Sequence, residues 1–137
     1  MSYLLDTNVL SEPSKARPNQ GVLSRLADLP GPLLTASVVW HEVLVGVGLL
    51  APSKRRDLLR HYVDSVLKPS LVVLPYDEAA ATYHARERAR LVRKGRTPSF
   101  ADGQIAAIAR TNGLVLVTRN VADFREFDGL EVESWFS

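Results

Sequence analysis

The sequence predicts an α/β fold: a three-layer sandwich in which a mostly parallel central sheet of about five strands lies between helices on both faces. Three observations predict it. Short aliphatic or β-branched runs are each followed by a longer segment of helical period. Glycine, proline and Ser/Asp cap signals punctuate the boundaries. No repeat or low-complexity stretch divides the 137 residues, and a chain of that length with 46% hydrophobic content suits one core, so residues 1–137 are read as a single domain.

The first strand is expected over Tyr3–Leu5, in YLL. A short turn of helix follows, broken by Pro13 and Pro18, and then a helix near Gly21–Leu29 that the Pro30, Gly31, Pro32 breaker closes. A second strand, Leu33–Ala36, leads into a helix begun by Ser37. Ser53, after Pro52, begins another that runs toward Leu67 and stops before Pro69. The third strand is Leu71–Leu74. Asp77 opens a long helix ending at Gly95, and Ser99 opens the next, ending at Gly113. Strands over Leu114–Thr118 and Glu131–Glu133 complete the set. This βαβα order argues for parallel pairing with helices covering both faces.

Composition removes several classes of function. There is no cysteine, which excludes disulfides and thiolate metal sites and fits a reducing cytosol. The start MSYLLDTN has neither a basic nor a long apolar leader region, and no window approaches the run of about 20 apolar residues that crosses a bilayer, so a soluble, cytoplasmic protein is expected. Seventeen Lys and Arg stand against 15 Asp and Glu, a net charge of +2, so the placement of charge matters more than its sum.

In open parallel sheets the binding crevice lies beyond the carboxyl ends of the strands. Four acids are expected along that edge. Asp6 ends YLLD, and Asp123 follows the fourth strand in LVTRNVADF. Glu42 and Asp102 lie in the first turns of helices. Taken singly, Asp6 reads more readily as turn chemistry in D-T-N, Ser99 to Asp102 as a capping box, and Asn120 to Asp123 as a looser one. Glu42 differs: Val38, Val39, Trp40, Val43, Leu44, Val45 and Val47 surround it in sequence, as on a helix packed on most sides, where a lone charge must shift its pKa, pair or hold a metal. His41 is adjacent and so faces elsewhere. Lys and Arg are absent from the sequence around Asp6, Glu42 and Asp102. Several carboxylates balanced by a hard divalent cation, magnesium or manganese, are therefore the expected arrangement. Zinc is not expected, because His41, His61 and His84 lack zinc-site spacing; His61 and His84 are read as surface residues on amphipathic helices.

YLLDTNVLSE, SVVWHEVLVG and SFADGQIAAIARTNGLVLVTRNVADF, taken in order, resemble the PIN-domain ribonucleases, specifically the VapC/FitB-like toxin subunits of VapBC-type toxin–antitoxin pairs. The resemblance covers nearly the whole chain. It implies a PIN-like sandwich and a Mg²⁺- or Mn²⁺-dependent endoribonuclease that leaves a 5′-phosphate and a 3′-hydroxyl. The family's acids fall on Asp6, Glu42, Asp102 and Asp123 as catalytic and metal-holding residues, and its supporting polar positions on Asn8, Thr118 and Asn120. Gly103 departs from the pattern, since the family more often has alanine there. The implied partners are RNA, a cognate antitoxin seated in a groove beside the acids, and a second copy of the chain in a homodimer or higher assembly.

The run RERARLVRKGR, Arg86–Arg96, carries six basic residues against one acid. It reads either as a patch that steers RNA, through Arg86, Arg90, Arg93, Lys94 and Arg96, or as a solvated helix face. Lys54, Arg55 and Arg56 form a smaller candidate patch. Trp40, Trp135 and Phe136 read as core. Two other classes compete: a haloacid-dehalogenase-like phosphatase, which needs a second Asp where Asn8 stands, and a non-nucleolytic receiver-like phosphoacceptor module, which needs an acidic pair and a strand-end lysine that are absent.

Overall fold

Strand β1 (Tyr3–Leu5) runs through the centre of the sheet, and Leu4 and Leu5 are wholly buried because the layers on either face close over them. In this computed structural model, which describes all 137 residues, β1 is flanked by β2 (Leu33–Ala36) on one side and β4 (Val115–Val117) on the other. Strands β3 (Leu71–Leu74) and β5 (Val132–Glu133) form the edges, giving the order β3-β2-β1-β4-β5 with every pair parallel. Leu4 lies opposite both Leu34 and Leu116, which sets the register. The fourth strand is shorter than its expected span. The Leu114 N–H is taken by the Ala109 carbonyl, which closes the preceding helix past Gly113 at φ 67° and delays the ladder by one residue.

The helices are α1 (Thr7–Leu10), α2 (Gln20–Ala27), α3 (Ser37–Gly48), α4 (Lys54–His61), α5 (Lys68–Ser70), α6 (Glu78–Arg93), α7 (Phe100–Thr111) and α8 (Val121–Phe124), with a 3₁₀ turn at Glu12–Ser14. Side-chain caps start four of the longer ones, with Asn19 accepting from the Val22 N–H at 3.2 Å ahead of α2. Ser53 accepts from the Arg56 N–H at 3.1 Å, Asp77 from Ala80 at 2.9 Å, and Ser99 from Asp102 at 3.1 Å. The looser cap expected at Asn120 does not form; its side chain makes no capping bond, and its own N–H donates to Thr118 Oγ1 at 3.1 Å.

Two expectations are corrected. The helix begun at Ser53 does not stop before Pro69: the chain continues through a π-type turn, Tyr62–Leu67, into α5, where Pro69 sits in a first turn and its missing N–H has no helical partner to lose. Nor is α3 packed on most sides. Only Val39, Val43 and Val47, one stripe at a spacing of four, are buried; Leu44 and Val45 are 44% and 41% exposed. Trp135 is core, as expected, edge-on to Tyr3 at 5.2 Å between centroids. Helix α7 lies against β2 and β4, and α6 packs along α7.

Candidate active site

The sheet's order reverses between β1 and β4, and the carboxyl ends of those strands carry Asp6 and Thr118. The ladder extends one residue past β1, with the Asp6 N–H donating to the Val117 carbonyl at 3.0 Å. Asp6 itself is extended and caps α1, its Oδ1 accepting from the Thr7 N–H at 2.8 Å. Its Oδ2 accepts from the Thr118 hydroxyl at 2.7 Å. The cap reading and the functional reading of Asp6 thus coexist. Both residues are buried, so each oxygen of this carboxylate is held by a donor whose own position is fixed. Two more bonds stiffen the edge: Asn8 Oδ1 accepts from the Arg119 N–H at 3.0 Å, and the Thr35 hydroxyl donates to the Leu5 carbonyl at 2.7 Å.

Glu42 reaches toward this edge from the second turn of α3, where the Thr7 hydroxyl donates to its Oε1 at 3.4 Å. Its environment corrects the sequence reading: the residue is exposed, at the rim of a depression rather than inside the helix packing. Enough protein still surrounds the carboxyl for burial, then the Asp6 charge, to push its pKa above the usual carboxylate range, against the weaker pull of Thr7. Asp102, half-buried in the first turn of α7, is raised in the same way by burial first and then, against the Ser99 hydroxyl, by the charges of Asp123 and Asp6. Asp6 is raised by burial, with Thr118 and Thr7 opposing and Asp123 adding. Asp123, on α8, is exposed.

The four sequence-selected acids therefore share one field, and Asp6, Glu42 and Asp102 are raised by burial first and then by the charge of another member of the set. None takes part in any of the chain's four ion pairs. As the side chains stand, no three carboxylates or imidazoles are gathered tightly enough to form a ready-made metal cage. The donor set fits a hard divalent cation all the same: it offers carboxylate oxygens only, it is partly desolvated, and none of its members is paired to a cationic side chain. Asp6 is the fixed member, while Glu42 and Asp123 stand in water with room to turn.

A groove of about 210 Å³ opens beside Glu42, lined among others by Thr7, Arg55, Leu59, Tyr62 and Leu67. Thr7 was not singled out as a site residue in the sequence, and Arg55 was read only as part of a smaller basic patch. The only signal for Thr7 was its place in D-T-N, and Arg55 is brought in by the fold of α4. The basic run is divided. Arg90 is bound to Glu87 through both oxygens at 2.7 and 3.1 Å, and Arg96 pairs with Glu126, whereas Arg93 and Lys94 are exposed and make no ion pair. His61 is exposed as expected. His84 is not: it is 2% exposed, because Gly103 on α7 leaves room for its ring.

A cluster of acids free of ion pairs, at the reversal point of a five-stranded parallel sheet, defines a candidate hydrolytic site on an α/β scaffold. The PIN domain model matches residues 3–130, and the chain belongs to the PIN-domain family. Toxin FitB of Neisseria gonorrhoeae is 32% identical over 135 residues, covering 96% of this chain and 97% of that protein. The tRNA(fMet)-specific endonuclease VapC of Shigella flexneri is 32% identical over 136 residues, covering 98% of each. Among solved structures, DNA-bound VapBC from Salmonella typhimurium superposes with a TM-score of 0.83 at 29% identity over 98% of both chains. This membership supersedes the phosphatase and receiver readings.

Proposed function

We propose that this chain is the toxin of a type II toxin–antitoxin pair, a cytoplasmic, single-domain endoribonuclease that hydrolyses RNA phosphodiester bonds with the help of Mg²⁺ or Mn²⁺. The observation that carries the reading is the gathering of Asp6, Glu42, Asp102 and Asp123 at the β1/β4 reversal, with the Asp6 carboxylate clasped by Thr118 at 2.7 Å and none of the four acids in an ion pair. The relatives named as a toxin and as an RNA endonuclease, matched over nearly their whole length, support it. No helix is long and apolar enough to cross a membrane.

Asp6, Glu42, Asp102 and Asp123 would hold the ion, which when bound supplies Lewis-acid chemistry: it acidifies a water molecule and offsets charge on the scissile phosphate. The chain's own part is positional. Thr118 and the Thr7 N–H fix the Asp6 carboxylate, so its orientation is set before substrate arrives. Asn8 secures Arg119, and Thr118 secures Asn120, so the β4–α8 turn that leads into the helix of Asp123 is tied to the start of α1. Arg86, Arg93 and Lys94 offer exposed charge for the RNA backbone. The groove beside Glu42, apolar but for Thr7, Arg55 and a few polar atoms, is where an antitoxin segment would lie.

Asp6→Asn and Asp102→Asn test the chemistry. Each removes a charged oxygen donor but little volume, and each is expected to abolish metal-dependent RNA cleavage, a loss of at least about a hundredfold, while circular dichroism stays that of the wild type. Cleavage near the wild-type rate by either variant, in preparations free of contaminating nuclease, sinks the assignment.

A further inference from the structure

The other side of the α7 amino end carries a cluster that metal chemistry does not explain. Phe100, the first residue of α7, is 56% exposed. A single exposed phenylalanine is ordinary; this one is supported from beneath. The buried His84 ring lies 4.8 Å from it, centroid to centroid, and Tyr76 lies at 6.5 Å; the Tyr76 hydroxyl meets His84 Nδ1 at 2.7 Å. The Arg88 guanidinium stands 5.9 Å from the Phe100 centroid, its Nη1 donating to the Pro98 carbonyl at 3.1 Å.

Two features of this cluster run against stability. His84 Nε2 is buried with no hydrogen-bond partner, where an aliphatic side chain would leave no polar atom unmet. Residue 103 must be glycine, since a Cβ there would overlap the His84 ring, and glycine inside a helix costs about 1 kcal/mol relative to alanine. What both produce is a close-packed aromatic support, its His84 and Tyr76 rings inclined 53° and 59° to the Phe100 plane, that holds the Phe100 ring with its outer surface in water.

Phe100 and Asp102 both belong to the first turn of α7, about 5 Å apart at Cα but about 200° apart around the helix, so they flank its amino end on different sides, with Asp102 among the acids and Phe100 against α6. Single-stranded RNA is held by stacking its bases on aromatic rings and guanidinium planes. We propose that Phe100, with Arg88 beside it, is a base-stacking platform for a nucleotide adjoining the scissile phosphate of a single-stranded RNA segment. The inference rests on the ribonuclease reading for its substrate, and adds to it the residue that grips the base.

The test is binding without cleavage. Fluorescence anisotropy of a labelled single-stranded oligoribonucleotide in EDTA reads affinity directly, and in Phe100→Leu it is expected to weaken about tenfold, the lower part of what one stacked base contributes. Phe100→Trp keeps the aromatic face and is expected to bind as the wild type does. In cleavage assays with Mn²⁺, Phe100→Leu should raise KM and leave kcat in place. Replacing the stacked nucleotide with an abasic one should weaken the wild type by the same factor and Phe100→Leu no further. Unchanged affinity in Phe100→Leu overturns the proposal, as do losses that simply add, or a variant that loses only its hold on a protein partner. A wild type that binds RNA through Phe100 yet never cleaves it sinks the nuclease reading and leaves the platform standing; a wild type that neither binds nor cleaves overturns both.

Discussion

Glu42 has Asp6 and Asp102 as its electrostatic neighbours, with Thr7 and His41 as the only groups pulling the other way. Without metal, ionising it adds a like charge to a shared, partly desolvated site. A carboxyl whose folded pKa is raised holds its proton longer in the folded state than in the unfolded one. The folded state then binds more protons between the usual carboxyl value, about 4.3, and the raised one, so stability is kept below that window and lost as pH rises through it. Glu12 and Glu87 are lowered and act in the opposite sense, so the comparison must be between wild type and variant rather than along one curve. In EDTA at pH 7.5, Glu42→Gln is expected to melt at or slightly above the wild type, by a small margin because the group is open to water, and the gap should close toward pH 4. The same change should shrink the stabilisation gained on adding Mn²⁺. Paired thermal melts decide it, and a variant less stable in EDTA with a full metal increment makes Glu42 a structural residue. The sequence exposed Glu42 as an anomaly among valines but gave the wrong cause, because apolar neighbours along a chain do not say which face a helix buries. Asp6 was legible as a strand-end acid; its clasp by Thr118 was not, since 112 residues separate the two.

At the level of elements, α6 is less an RNA-facing charge run than a clasp on the loop after α8. Glu87, buried on its inner face, accepts from the Asp128 N–H at 2.6 Å and from Arg90, while Arg90 donates to the Glu126 carbonyl and the Tyr83 hydroxyl to the Asp128 carbonyl, each at 2.7 Å. The Arg90 guanidinium and the Asp128 N–H hold the Glu87 carboxyl below the usual range. Arg90→Glu would leave Glu87 buried against a like charge, so it is expected to lower the unfolding midpoint markedly before any effect on RNA is read. Arg93→Glu is expected to leave the melt unchanged, weaken RNA binding and reduce the salt slope by about one. Thermal melts with anisotropy across a salt series separate the two, and an unaltered slope in Arg93→Glu returns the whole run to a solvated face. Tyr62→Phe probes the π-type turn: its hydroxyl donates to the Leu10 carbonyl at 2.7 Å, and burial pushes it up to about 12. Its loss should cost about 1 kcal/mol in urea unfolding. Caps such as Ser53, Asp77 and Ser99 were readable because their partners lie three residues away. The π-type turn and the Glu87 clasp were not, because distant groups decide them.

Across the whole molecule, the alternation of strand and helix was enough to count five strands and expect their parallel pairing, though not their order, since each aliphatic run was too short for a helix and each following segment long enough for a crossover. What alternation does not show is which outer faces remain unfinished. The chain exposes 7796 Å², where about 7,100 Å² is typical of a compact monomer of 15.1 kDa. Part of the surplus is apolar: Leu44 and Val45 on the outer side of α3, Leu49 at 81% exposure just beyond it, and Leu58 at 63% on α4. These residues stand apart from the groove beside Glu42, which Val43, Gly46, Val47 and Leu50 line instead. An apolar strip of this kind is what a second copy covers in a homodimer. The double variant Leu44→Glu, Leu49→Glu removes no buried group, so folding should change by less than about 0.5 kcal/mol. Light scattering after gel filtration should then report the wild type as a multiple of 15.1 kDa and the variant as the single chain. Metal-dependent RNA cleavage by the variant should remain measurable, because the acids and the groove are untouched. A wild type that runs as a single chain at tens of micromolar removes self-association from the reading and leaves the strip to a partner protein, whose binding the same variant would then abolish.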